Sequence, residues 1–441
     1  MKQFTNLKRE IDAILLTLVM ALVLSACGRT EANSAVTSEG AKRSDTEKAS
    51  ETGNETDKVT DNIGNSSDNT APTGDSVAQF DVSSLFSKRD LEQSPDLTDA
   101  QTITVSDNRT VAITEPGTYI LKGTATECTV RIELSDENGK VQLVLDGLNI
   151  TNSDFPAIYI VEADKCFITT ISDSSLSVTG EFRADGDTNT DAVIFSRDDL
   201  TLNGTATLTV NSTKGNGISC KDDLKVTGGT YVMTTALDSF EANDSIAIKD
   251  GAFTIVTQKD AFHSENDDDN TLGYIYIAGG TFTIQAKSDG IQGTTFVRID
   301  GGTYQIKSSE GIEATYIEIN DGEFDISASD DGLNASRKSR SITTPTIVVN
   351  GGHLVIVTGN GDTDALDANG DIYVNGGTIE VTQNGMSSFD YDNKAELNGG
   401  TVYINGEQVD TIPRDMFGPG GGNGGHGGPG GGGGRGGRPD Q

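Results

Sequence analysis

A carboxylate, a small residue, a large apolar residue and a polar residue three places after the acid recur along the chain. The pattern stands in "LDSFEA" from Leu237, "KDAFHS" from Lys259, "SDGIQG" from Ser288, "SEGIEA" from Ser309, "SDDGLNA" from Ser329 and "TDALDA" from Thr363. The leading acids are Asp238, Asp260, Asp289, Glu310, Asp331 and Asp364. Three places on stand Glu241, His263, Gln292, Glu313, Asn334 and Asp367, with Asp390 in a further copy. Clusters of hard oxygen donors suit calcium, which takes six to eight oxygens in flexible geometry. The expected metal ligands are Asp238, Glu241, Asp260, Asp289, Glu310, Asp331, Asp364 and Asp367. Asp-Gly is also an ordinary turn dipeptide, because Asp caps its own backbone. Any single copy therefore reads as a turn, and only the repetition argues for a cation. Denser acidic stretches join it: "ENDDDN" (265–270), "GDTDALDANGD" (361–371) and "RADGDTNTDA" (183–192). The second lacks the closing Glu spacing of an EF-hand and is not one.

Carboxylates so far apart in sequence need an architecture that stacks them, and the chain supplies one. "LKVTGGTYVM", "IAIKDGAFTI", "IYIAGGTFTI", "VRIDGGTYQI", "IEINDGEFDI", "IVVNGGHLVI", "IYVNGGTIEV" and "AELNGGTVYI" are copies of one motif. Their second glycines, from Gly229 to Gly400, are spaced by 22, 29, 22, 20, 30, 25 and 23 residues. Short periods of this kind mark a solenoid. Apolar and polar residues alternate within each copy, which is strand periodicity. The glycines bend the chain between two strands, and the "DGLNA" element makes a third.

The expected fold is an all-β, right-handed parallel β-helix with three strands per coil and about 13 coils, a rod about 60 Å long. Stacking aligns Tyr231, Phe253, Phe282, Tyr304, Phe324, Leu354, Ile379 and Val402 in one interior column. Met233 to Ile404 form a second, and Phe240, Phe262, Ile291, Ile312, Leu333, Leu366 and Phe389 a third. Asn320, Asn350, Asn375 and Asn398 fall at one bend and should form an amide ladder. In this reading the acids face outward about 4.8 Å apart, where two carboxylates repel by roughly 0.9 kcal/mol in water and more in a partly dry groove. A cation is the natural remedy. The insert after Phe262 and the "RKSRSITTP" loop (337–345) leave from one corner and should wall this face.

Both ends differ in composition from this body. Residues 1–26 carry basic Lys2, Lys8 and Arg9 and then an apolar run ending "LSAC", a lipobox-like site that places a lipid on Cys27. Residues 27–98 are rich in Ser, Thr, Asn, Asp and Glu and read as a disordered tether. Residues 99–414 are the coil, and 415–441 a glycine-rich tail. Cys128, Cys166 and Cys220 lack close pairing and read as small buried residues. A formal charge of −35 disfavours nucleic acid as a partner.

"SRDDLTLNGTATLTV", "GISCKDDLKVTGGT", "SDGIQG" and "SASDDGLNAS", with the lipobox and the glycine-rich tail, resemble a bacterial family of secreted β-helix carbohydrate-binding proteins similar in fold to pectate lyases. The resemblance implies binding of cellulose or acidic sugars, and calcium sites like those of the lyases. The expected protein is a monomer, lipid-anchored at the outer membrane face, that binds polysaccharide along a calcium-bearing face. Two alternatives stand beside it. A structural adhesin would show no sugar specificity. A lyase would need calcium to acidify the proton beside a uronate carboxylate, and a base for which Lys259, Lys287, Lys307 and Arg337 are candidates. The absence of Trp argues against a stacking platform, for which Tyr276 and Tyr373 are the outward-facing aromatics.

Overall fold

The computed structural model describes residues 80–413 apart from Asp362 and Met386, so the signal segment, Cys27 and the glycine-rich tail lie outside the described residues. The alternation in each repeat becomes alternating burial. In Thr303–Ser308, Tyr304, Ile306 and Ser308 turn inward while Thr303, Gln305 and Lys307 face solvent. Each such strand pairs in parallel with its counterparts one repeat before and one repeat after. Tyr304 thus lies opposite Phe282 on one side and Phe324 on the other.

Three ladders result. One runs through Thr230–Thr235, Ala252–Thr257, Thr281–Gln285, Thr303–Ser308, Glu323–Ala328, His353–Val357, Thr378–Thr382 and Thr401–Ile404. A second runs from Ser245–Ile248 to Lys394–Leu397. The third consists of short strands, from Phe240–Ala242 through Phe262–Ser264, Ile291–Gly293, Ile312–Ala314, Leu333–Ala335 and Leu366–Ala368 to Phe389–Tyr391. Among the described strand pairs only Thr401–Ile404 with Glu407–Val409 is antiparallel. The chain is therefore an all-β solenoid of parallel strands.

The first coils carry register shifts at Leu121/Gly123, Ile132/Glu133 and Leu145/Asp146, but from Asp199 on the register holds residue for residue, so like side chains meet. Tyr231, Phe253, Phe282, Tyr304 and Phe324 stack at centroid spacings of 5.2, 4.8, 4.6 and 4.4 Å. Each such buried side chain contributes on the order of 1.5–3 kcal/mol. The bends preserve this spacing. Gly302 takes φ +117°, and a Cβ there would meet Tyr304 Oη at 2.8 Å and Gly280 O at 3.1 Å, so glycine is required. At the bend, side-chain Nδ2 groups donate to Oδ1 atoms one coil back, Asn350 to Asn320 (2.7 Å), Asn375 to Asn350 (2.8 Å) and Asn398 to Asn375 (2.9 Å). Asn320 Nδ2 ends the ladder on Asp300 Oδ1 at 2.7 Å. Cys128, Cys166 and Cys220 are free and buried.

The packed body begins before residue 99. Phe80 packs edge-on against Tyr274 and Phe296 at 5.2 and 5.1 Å, and Phe86 against Tyr276 at 6.4 Å. Asp90 is fully buried and receives Lys165 Nζ at 3.0 Å and Thr201 Oγ1 at 2.7 Å. Burial opposes its ionisation, yet Lys165 and these hydrogen bonds hold its carboxyl down at about 2. Residues 80–98 are thus a strap, held by a few well-placed aromatic and charged groups within a polar composition. The strap also buries Tyr276, whose hydroxyl bonds Asp300 at 2.9 Å, so that ring does not face solvent as expected.

The aromatic stack gives a direct check. Phe282→Ala should cost about 3–5 kcal/mol in denaturant unfolding, whereas Thr283→Ala, on the exposed side of the same strand, should cost within about 0.5 kcal/mol. Equal effects would contradict the inward assignment.

Candidate metal centre

The third ladder brings the acidic repeat into register. Glu241 pairs with His263, then in succession Gln292, Glu313, Asn334, Asp367 and Asp390. The leading acids also align one above the next, but they do not face outward into solvent. Asp238, Asp260, Asp289, Asp331 and Asp364 are 1, 1, 7, 8 and 5% exposed. Their depth comes from the tight turn before each short strand, which folds the carboxylate against the coil that follows. There Asp238, Asp260 and Asp331 each accept the backbone N–H of the next acid. Asp238 Oδ1 takes Asp260 N at 3.0 Å, Asp260 Oδ1 takes Asp289 N at 2.8 Å, and Asp331 Oδ1 takes Asp364 N at 2.7 Å. Asn216 Oδ1 heads the series on Asp238 N at 2.8 Å. Charge-assisted bonds of this kind repay part of the burial of an acid. The repeat therefore serves the fold as well as any ligand.

The column divides into three levels that differ in compensation. At the first, Lys259 Nζ lies 2.7 Å and His263 Nδ1 3.2 Å from Asp238 Oδ2. Burial disfavours the charged ring, but bonds to Asp238 and Glu265 push His263 up to about 9. Burial likewise works to raise Asp238, and His263 and Lys259 more than reverse it. Glu241 accepts from Ser219 Oγ at 2.6 Å and Asn216 Nδ2 at 3.0 Å, with Lys221 3.8 Å away. Asp238, Asp260 and His263 could geometrically hold an ion, but protein cations already fill that role.

At the second level Asp289, Glu310 and Glu313 bring one carboxylate oxygen each within 4.8 Å of one another. Burial, reinforced by Asp260 and Glu313, pushes Asp289 up to about 7. Burial, with Glu313 and Asp289, pushes Glu310 up to about 8. Asn334 Nδ2 donates to Glu310 Oε2 at 3.1 Å, while its Oδ1 is buried and lacks a hydrogen-bond partner. The three carboxylates form an all-oxygen donor set, which suits calcium, and Glu313 already receives Lys338 Nζ at 2.7 Å and Ser336 Oγ at 3.0 Å. At the third level Asp367, held up at about 7 by burial and by Asp331, Asp364 and Asp390, adjoins Asp364, which accepts from Ser387 Oγ.

Of the expected basic residues, Lys259 is committed to Asp238. Arg337 Nη2 donates to Thr343 O within its own loop, at 2.8 Å. Lys287 and Lys307 stand exposed on or beside the first ladder. Tyr373 remains partly exposed, with Lys394 over its ring at 4.8 Å. The two inserts do meet. Ser339 Oγ donates to Asn270 O, and Ile342 packs with Tyr274 and Phe296. Beside the first level opens a cavity of about 500 Å³ lined by Lys221, Glu241, Asn243, His263, Glu265 and Asn266 among others.

Glu313 and His263 stood in the second column without being expected ligands, and the register is what joins them to their clusters. Lys338 was foreseen only as part of a basic loop, and its place depends on how that loop folds back. An acidic corner at Asp199, Asp222, Asp223 and Asp244 was not foreseen. Burial and a hydrogen bond with Asp244 lift Asp222 to about 7 there. Its sequence signal is the repeated "DDL" of 198–200 and 222–224.

The raised carboxyls fix a sign. An acid whose pKa is higher folded than unfolded favours the fold at low pH, and loses that contribution as pH rises through the folded value. With chelator present, the melting temperature should fall between pH 5 and 8, through the range of Asp289, Glu310 and Asp367. Calcium should flatten the fall. A melting temperature that rises over this window in chelator would contradict the assignment.

The geometry can be set beside known proteins. A family model described as carbohydrate-binding domain-containing protein matches residues 107–360 and 310–411. A carbohydrate-binding domain-containing protein of Acetivibrio thermocellus is 44% identical over 196 residues, covering 44% of this chain and 68% of the relative. A solved structure of the polysaccharide lyase-like protein from C. thermocellum, a gadolinium derivative, is 24% identical with a TM-score of 0.30. It covers 69% of this chain and 94% of its own. On the extent of the family match, the chain belongs to the carbohydrate-binding domain-containing proteins.

Proposed function

We propose that this carbohydrate-binding chain is a surface-tethered binder of uronate-bearing polysaccharide, with calcium held by Asp289, Glu310, Glu313 and Asn334. The observation that carries the reading is the convergence of three carboxylates, two of them buried, at a level served by one lysine, Lys338, where Asp238 has both Lys259 and His263. A divalent ion there supplies charge that offsets the carboxylates and reaches a glycan carboxylate in the groove. It also resolves the electrostatic conflict of an acidic chain, formally −35, binding an acidic polymer. Asp331, Asp364 and Asp367 offer a second seat on the same column. A cellulosic glycan is the other polymer the reading admits, and it would need no ion. Attachment through a lipid on Cys27 would place the rod at the outer face of the bacterial membrane, with the polysaccharide outside as its partner.

Of the candidate bases, Lys259 is engaged with Asp238 and Arg337 with its own loop, while Lys287 and Lys307 are exposed, so elimination is the second reading and would draw its base from those two. The test is retention on immobilised polygalacturonate with calcium and with chelator, alongside ultraviolet detection of unsaturated product. Retention that needs calcium, without product, is expected. Glu310→Gln and Glu313→Gln should each weaken calcium binding by about tenfold or more, and Glu241→Gln should leave it unchanged. Product formation would make the protein a lyase. Calcium-independent retention on cellulose alone would replace the uronate reading.

A further inference from the structure

Lys338 belongs to the 337–345 loop but reaches back over the acidic column. Its Nζ lies 2.7 Å from Glu313 Oε2. The Gln292 amide, oriented so that its nitrogen donates to Asp260 Oδ2 at 3.1 Å, presents its oxygen to the same ammonium at 2.7 Å. The backbone beneath this side chain is pinned. Lys338 N and Ser339 N both donate to Thr315 Oγ1, at 3.0 and 2.8 Å, Ser339 Oγ holds Asn270 O, and Ile342 is buried. A lysine stem is flexible where its backbone is fixed, so the ammonium can leave the carboxylates without any movement of the loop.

A single ammonium stands where three carboxylates converge. A divalent ion seated on the same oxygens would repel it, since both would need Glu313. The Lys338 side chain is 27% exposed, so a displaced ammonium can turn to solvent beside the carboxylates. Ion and ammonium would then present positive charge side by side, which suits a carboxylate on a polymer and gives nothing to an uncharged glycan.

We propose that Lys338 is a tethered counter-cation and the specificity residue of the groove: it covers Glu313 when no ion is bound, yields that oxygen to calcium, and then engages the uronate carboxylate. This rests on the calcium reading above. It implies reciprocal coupling, since a ligand that draws Lys338 away strengthens calcium binding, and calcium strengthens binding of that ligand to the same extent.

The experiment is calorimetric titration of the full chain, first with calcium chloride alone and then with oligogalacturonate at saturating calcium. Lys338→Met should bind calcium more tightly than wild type, by about fivefold or more, and oligogalacturonate more weakly by a similar factor. Lys338→Arg should keep wild-type oligogalacturonate binding within about twofold, because it restores the charge. A merely structural lysine would not move the two affinities in opposite directions. Calcium affinity that is unchanged or weaker in Lys338→Met overturns the proposal, as does unchanged oligogalacturonate affinity. If wild type takes up calcium and Lys338→Met matches it, the role of Lys338 falls alone. If wild type takes up none, the calcium reading falls and the role of Lys338 falls with it.

Discussion

Parallel pairing that keeps its register from Asp199 onward is the constraint on which everything else depends. Across the described coils it sets residues that are 18 to 36 positions apart in sequence about one strand spacing apart in space. Inside the coil this turns a run of aromatic positions into a stack with centroids 4.4–5.2 Å apart. At the bend it turns asparagines into an amide ladder. Before the short strands it forces carboxylates into each other's fields. The same geometry that makes apolar and amide repeats favourable makes charged repeats costly, and the chain must answer that cost at each level.

It answers in different ways. Backbone amides serve several of the acids, so part of the carboxylate column is a structural device that fixes the turn. Lys259 and His263 balance Asp238 from within the protein. At Asp289, Glu310 and Glu313 this internal supply thins to one lysine borrowed from a neighbouring loop, and the carboxyls of Asp289 and Glu310 respond by holding their protons to higher pH. A site poised in this way, wanting positive charge and offering oxygen, differs from a salt-bridged core even though both arise from the same sequence repeat.

Much of this was legible in the sequence because the period was. Alternation gave the strands, glycine spacing gave the repeat, and the repeat gave the interior columns from Tyr231 to Val402 and the ladder from Asn320 to Asn398 residue by residue. What the period could not carry was depth and rotation. The acids of the "DGLNA" elements were expected on an open face, but the turn before each short strand tucks them beneath the next coil. Periodicity was equally silent about segments outside the repeat. Phe80, Phe86 and Asp90 sit in a polar stretch whose composition resembles a tether, and only their fit to Tyr274, Tyr276 and Lys165 makes it a strap. Lys338 is a further case, since its partner Glu313 is set by register but its own approach is set by the fold of a loop.

The central claim is that the levels of one carboxylate column differ in their need for an external cation. Anomalous diffraction from crystals grown with calcium, or with a heavier lanthanide in its place, addresses it directly. The account predicts a peak among Asp289, Glu310 and Glu313 and none between Asp238 and His263. A peak at His263 with none at Glu310, or no ordered ion along the column, would contradict it.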